Sequence, residues 1–207
     1  MTTTGGNVFV VDDDNAVRQG VGRLLASAGF EVKTYDSAGA FLADRAAPSP
    51  SCLIVDQHMP GRSGLELQQE LQPAGAVLPI IFLTGQGDVS LSVKAMKAGA
   101  FDFLTKPVDE EPLIDAVRRA LELSAQSMAA RAERDGFLER LTQLTPRERD
   151  VCELVVKGML NKQTAGELGI AERTVKVHRA NMLKKLKVGS LAELSRLVER
   201  TRAFATD

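Results

Sequence analysis

Five side chains in the first half of the sequence could do chemistry if the fold brought them together. They are Asp12 and Asp13 in "VVDDDN", Asp56 closing "CLIVD", Thr84 closing "PIIFLT" and Lys106 just after "AFDFL". Adjacent carboxylates repel, and burial sharpens the repulsion, so Asp12 and Asp13 require positive compensation. Asp14 requires none, because a carboxylate is favoured in the first turn of the helix that "NAVRQGVGRLLASAGF" predicts. Three carboxylates in one crevice form an oxygen-only donor set for a hard divalent cation. Mg2+ fits best, since no paired His or Cys favours zinc. Lys106 adds a second positive charge and Thr84 a hydroxyl donor. With the cation they would surround a phosphoryl group, leaving Asp56 to face it as nucleophile.

Each of these residues lies at or just beyond the end of a short apolar run, and those runs set the architecture. "NVFVV", "EVKTY", "CLIVD", "PIIFLT" and "AFDFL" read as strands, and the stretches from near Asp14, Ser37, Gly64, Asp88 and Asp109 as helices. Five strand-then-helix repeats predict an α/β doubly wound, five-stranded parallel sheet, whose ligand crevice lies outside the carboxyl ends of the strands. Among 207 residues, 44% hydrophobic and 26% charged content is ordinary for a globular chain. The start "MTTTGGN" lacks the basic and apolar regions of a signal peptide, and no apolar run approaches a membrane span, so the expectation is a cytoplasmic protein with no membrane partner. Cys52 and Cys152 lie far apart in apolar segments and read as reduced core residues.

Charge divides the chain. Residues 1–144 carry 13 Lys and Arg against 19 Asp and Glu, a net −6, whereas residues 145–207 carry 13 against 8, a net +5. From Asp109 the pattern stays helical, with Leu113, Val117, Leu121 and Met128 marking an apolar stripe that fades into charge. The last helix of the first domain is therefore expected to extend as a solvated linker, with Gly136 as the break. "LTPRERD" then opens a second domain with a capping box: Thr145 at the cap, Pro146 first in the helix and Glu148 three residues after the cap. "NKQTAGELGI" and "AERTVKVHRANMLKKLKV" read as two helices joined by a turn at Gly169, before a final helix from Ser190. In the second of these, Val175, Met182, Leu183 and Leu186 can face a core while Arg173, Lys176, Val177, Ala180 and Lys184 form a basic and apolar stripe. Alone, such a stripe is a solvated face or a membrane-surface patch. As the second helix of a helix-turn-helix it suits the major groove of DNA.

"VVDDD", "CLIVDQHMPGRSG", "FLTG" and "FDFLTKP" resemble, in order and over about the first 120 residues, the receiver domain of two-component response regulators. The segment from Leu144 to Val188 resembles the LuxR-type DNA-binding domain, a combination typical of the FixJ/NarL class, and "GQGDVSLSVKAMKAGAFDF" is similar to the FixJ branch. The resemblance implies a receiver at 1–122, a helical linker at 123–141 and a small all-α helix-turn-helix domain at 142–207. It implies that Asp56 accepts phosphate from a sensor histidine kinase, that Asp13, Asp56 and the backbone carbonyl of His58 ligate Mg2+, and that Asp12 acts largely through water. It further implies that Lys106 contacts the phosphoryl group beside a cis Lys106–Pro107 bond, and that Thr84 and Phe103 form a switch pair. Phe103 lacks the hydroxyl that many relatives carry there as Tyr. On DNA, Lys176, Val177 and Ala180 would face base edges, with Thr174, His178 and Arg179 nearer phosphates. His178 reads equally as a packing residue, and Ala180 can meet a thymine methyl but cannot hydrogen-bond. Phosphorylation is expected to give a homodimer on an inverted-repeat promoter site. The dimer would form through the face near Val93–Phe103 and a seam of Leu191, Leu194 and Val198, with RNA polymerase as a further partner. The competing reading is a Mg2+-dependent phosphatase of the haloacid dehalogenase type. That class places a second Asp two residues after its nucleophile, where this chain has His58.

Overall fold

The computed structural model describes residues 6–44, 50–71, 78–85 and 89–201, the side chains of 89–92 excepted, and divides into two compact units at Ala129/Ala130. In the first unit β1 (Asn7–Val11), β2 (Glu31–Tyr35), β3 (Ser51–Asp56), β4 (Ile80–Thr84) and β5 (Asp102–Thr105) form one parallel sheet in the order β2-β1-β3-β4-β5. The three central strands are buried on both faces, which is why they read as unbroken apolar runs rather than alternating ones. Val8, Val10, Cys52, Ile54 and Ile81 pack on one side with α1 (Asn15–Ser27) and the first half of α5 (Glu110–Thr142). Phe9, Leu53, Val55 and Phe82 pack on the other, with α2 (Ala38–Ala43), α3 (Gly64–Leu71) and α4 (Val89–Lys97). The expected strands and helices are thus all present; the expected helix start at Asp88 lies outside the described residues.

Local chemistry sets the helix starts. The Asp14 side chain caps α1, accepting from the amides of Ala16 and Val17, and Ser37 caps α2. At the start of α3 a Cβ on Gly64 would sit 2.6 Å from the carbonyl oxygen of Asp56 and 2.9 Å from the Phe82 ring, so only glycine allows the helix to begin against the end of β3.

The second unit holds the end of α5 together with α6 (Pro146–Val156), α7 (Asn161–Leu168), α8 (Glu172–Leu186) and α9 (Leu191–Thr201). The capping box of Thr145 and Glu148 is present, and Gly169 at φ 64° ends α7 in the left-handed conformation. Val175, Met182 and Leu186 are buried, and Leu183 packs against them.

Two expectations fail here. Gly136 breaks nothing: it lies inside α5, and its intrinsic cost to the helix, about 1 kcal/mol, is outweighed because Phe137 and Leu141 beyond it are buried in the second unit's core. The C-terminal part of the supposed solvated linker is therefore core. Likewise Leu194 and Val198 are buried and Leu191 packs against the same core, so α9 presents no spare apolar seam. So small a unit needs the apolar face of α9 for its own core.

Candidate functional site

At the carboxyl ends of the strands, beside the point where strand order reverses between β1 and β3, the fold gathers Asp12, Asp13, Asp56, Thr84 and Lys106. Asp12 is fully buried and Asp56 nearly so, while Asp13 is exposed. Lys106 Nζ lies 2.7 Å from Asp12 Oδ2 and 3.1 Å from Asp56 Oδ1, so one ammonium serves two buried carboxylates. Oxygen atoms of Asp12, Asp13 and Asp56 lie within 4.8 Å of one another. The other oxygen of Asp12 accepts from the Asp14 amide at 2.9 Å, and Arg18 Nη1 donates to the Asp12 carbonyl at 2.6 Å. Sequence reasoning missed Arg18, whose helical position offered no sign that it folds back over the loop.

Burial pushes the Asp56 carboxyl above the ordinary carboxylate range. Lys106 and the His58 amide oppose that rise, and the neighbouring Asp12 charge adds to it. For Lys106 burial works against the charged form, but the hydrogen bonds to Asp12 and Asp56 outweigh it and hold the ammonium above its usual value. Thr84 is buried with its hydroxyl unpartnered, and its carbonyl accepts from the Lys106 amide at 2.6 Å. The Lys106–Pro107 bond is cis. Phe103 is half-buried and stacks on Phe82 with ring centroids 6.3 Å apart. An open cleft lined by Asp13, His58, Met59 and Lys94 lies beside these residues. Three carboxylates against one lysine leave an excess of negative charge in an all-oxygen setting, which suits a hard divalent cation.

In the second unit α8 exposes Arg173, Lys176, Val177, Ala180 and Lys184, while Thr174, His178 and Arg179 are half-buried. Val177 is 57% exposed, an aliphatic surface flanked by cationic residues. Lys176 pairs with Glu172 at 3.1 Å, and Arg179 Nη1 donates to Asn161 Oδ1 at 3.0 Å. Glu148, 4% exposed, accepts from the Thr145 amide and hydroxyl at 2.9 Å and from Lys185 Nζ at 2.7 Å, tying α6 to α8. Neither the Asn161 nor the Lys185 pairing leaves a periodic mark, because each joins residues on different helices.

An acidic crevice with one lysine at the carboxyl ends of a doubly wound sheet, joined to a helix-turn-helix, defines a regulator class, and comparison with known proteins agrees. Residues 8–118 match the response regulator receiver domain and residues 142–198 the bacterial regulatory proteins of the luxR family. The chain belongs to the response regulators that carry a LuxR-type DNA-binding domain. It is 46% identical to the response regulator protein TmoT of Ectopseudomonas mendocina, over 94% of this chain and 89% of that one. It is also 46% identical to the transcriptional regulatory protein FixJ of Azorhizobium caulinodans, over 92% and 90%. The structure of the response regulator StyR aligns with TM-score 0.81 at 50% identity, covering 95% of this chain and 99% of that one. The family is one of transcriptional regulators rather than enzymes, which sets aside the phosphatase reading.

Proposed function

We propose that Asp56 is the phosphoryl acceptor from a sensor histidine kinase and that its phosphorylation turns on promoter binding by α8. The observation carrying this reading is the Lys106 ammonium held between Asp12 and Asp56, with Asp13 alongside. An Asp56 oxygen attacks phosphorus as the phosphorus–nitrogen bond to the kinase histidine breaks, and the imidazole leaves. Asp13, Asp56 and the His58 carbonyl would hold Mg2+, with Asp12 acting through water; when bound, the ion supplies the positive charge that lets two anions meet. Lys106 then trades its contact with Asp56 for a phosphoryl oxygen, and the unpartnered Thr84 hydroxyl supplies a donor. Thr84 and Phe103 form the switch. The receiver is placed at 1–122 and the DNA-binding domain at 142–207, with the core of the latter reaching back into α5 as far as Phe137.

On DNA, Lys176, Val177 and Ala180 would read base edges, and Arg173, Thr174, His178, Arg179 and Lys184 would contribute phosphate contacts. One helix in one groove selects too few base pairs, so the phosphorylated chain works as a homodimer on an inverted repeat and passes the signal to RNA polymerase. Val93 and Met96, each 48% exposed on α4, support the α4–β5 face as the contact. The setting is cytoplasmic, in keeping with the lack, among the described residues, of any helix long and apolar enough to cross a membrane.

Acetyl phosphate tests the acceptor. Labelling should require a divalent cation and vanish in Asp56→Asn, and undiminished labelling in EDTA overturns the site. For DNA, Lys176→Ala should cost about 1–3 kcal/mol at one base position in a binding selection. Equal losses on specific and scrambled duplexes would remove Lys176 from base reading.

A further inference from the structure

The ends of α5 and α8 exchange basic side chains. Arg140 Nε on α5 donates to the carbonyl of Leu186, the last residue of α8, at 2.9 Å. In return Lys185 Nζ on α8 reaches the carbonyl of Gln143, just past α5, at 3.3 Å while it pairs with Glu148. The last four carbonyls of a helix have no intrahelical donor. In α8 the turn at Lys187, φ 55°, satisfies those of Leu183 and Lys184 through backbone amides, and Arg140 takes that of Leu186. A guanidinium there also complements the negative end of the helix dipole.

Resting on the reading of α8 as the DNA-contacting helix, we infer that Arg140 is a positioning residue for sequence recognition. It fixes the axial position and rotation of α8 against the end of α5 within the second unit. Core packing alone does not require it, since Phe137 and Leu141 already anchor the end of α5. Two opposed contacts, Arg140 to Leu186 and Lys185 to Gln143, restrain both sliding and rotation of α8, which a single contact cannot do. Base-edge hydrogen bonds tolerate errors of a few tenths of an ångström, whereas phosphate attraction falls off slowly with distance. Loss of Arg140 should therefore weaken specific binding and spare non-specific binding.

The full chain is titrated, by fluorescence anisotropy, onto a duplex it has selected from a random pool and onto a scrambled duplex of equal composition. Circular dichroism checks that each variant is folded. Arg140→Met keeps the apolar stem and should lose about tenfold on the selected duplex, stay within about twofold on the scrambled one and keep the same salt slope. Arg140→Lys, which still donates, should recover most of that loss. Equal losses on both duplexes, no loss on either, or no recovery with Lys would overturn the inference. A wild-type chain that selects no sequence at all would instead overturn DNA reading by α8.

Discussion

Each unit buries a carboxylate against a lysine, Asp56 with Lys106 at 3.1 Å and Glu148 with Lys185 at 2.7 Å, yet their proton affinities move in opposite directions. Asp56 is pushed up by burial and by the charge of Asp12, which competes for the same lysine. Glu148 also meets a burial penalty, but Lys185 and the Thr145 amide and hydroxyl outweigh it and hold the carboxyl below its usual range. The first arrangement leaves charge short of compensation, as the proposed cation and phosphoryl site requires. The second is fully satisfied and serves structure.

The sharpest break is Lys106→Met. It strips the ammonium from two buried carboxylates and should cost the metal-free first unit about 3 kcal/mol, much of it restored by millimolar Mg2+, as read by calorimetric melting. A loss that Mg2+ leaves untouched would mean that the carboxylates take no cation. Next comes Glu148→Ala, which removes the reciprocal half of a capping box and an ion-pair partner together and should cost the second unit about 2 kcal/mol. Because the Glu148 pKa is lowered on folding, its contribution is present above the ordinary glutamate value and fades as pH falls through the lowered one. The Glu148→Ala deficit should therefore shrink in acid.

The smallest effect has the opposite sign. With its folded-state pKa raised, Asp56 favours the folded chain only while protonated, and stability is lost as pH rises from the ordinary aspartate value through the raised one. Asp56→Asn should thus stabilise the metal-free chain at neutral pH, by less than either loss above, and the gain should disappear toward pH 4. Melting of Asp56→Asn below wild type at pH 7 would show that Asp56 is not charge-strained.

The first site was legible because Asp12, Asp56 and Thr84 close apolar runs and Lys106 follows one, and strand topology alone converts those positions into neighbours. The α8 stripe was legible because helical periodicity sorts one helix into faces. What periodicity omits is the identity of the surface opposite. It marked the apolar face of α9 but not that Leu194 and Val198 are spent on the unit's own core, and it placed Gly136 without weighing Phe137. Long-range polar pairs such as Arg140 with Leu186, 46 residues apart, leave no periodic trace.

The sequence contains two cysteines, and the fold deposits one in each unit: Cys52 in β3 and Cys152 in α6, both buried as free thiols. Burial raises Cys52 to about 12 and Cys152 to about 11, so thiolate, the reactive form, is scarce at neutral pH. An alkylating reagent can reach either sulfur only when its own unit opens. The wild-type chain therefore carries two internal clocks, and peptide mapping of iodoacetamide uptake would time the opening of each unit separately, without a label being engineered into either.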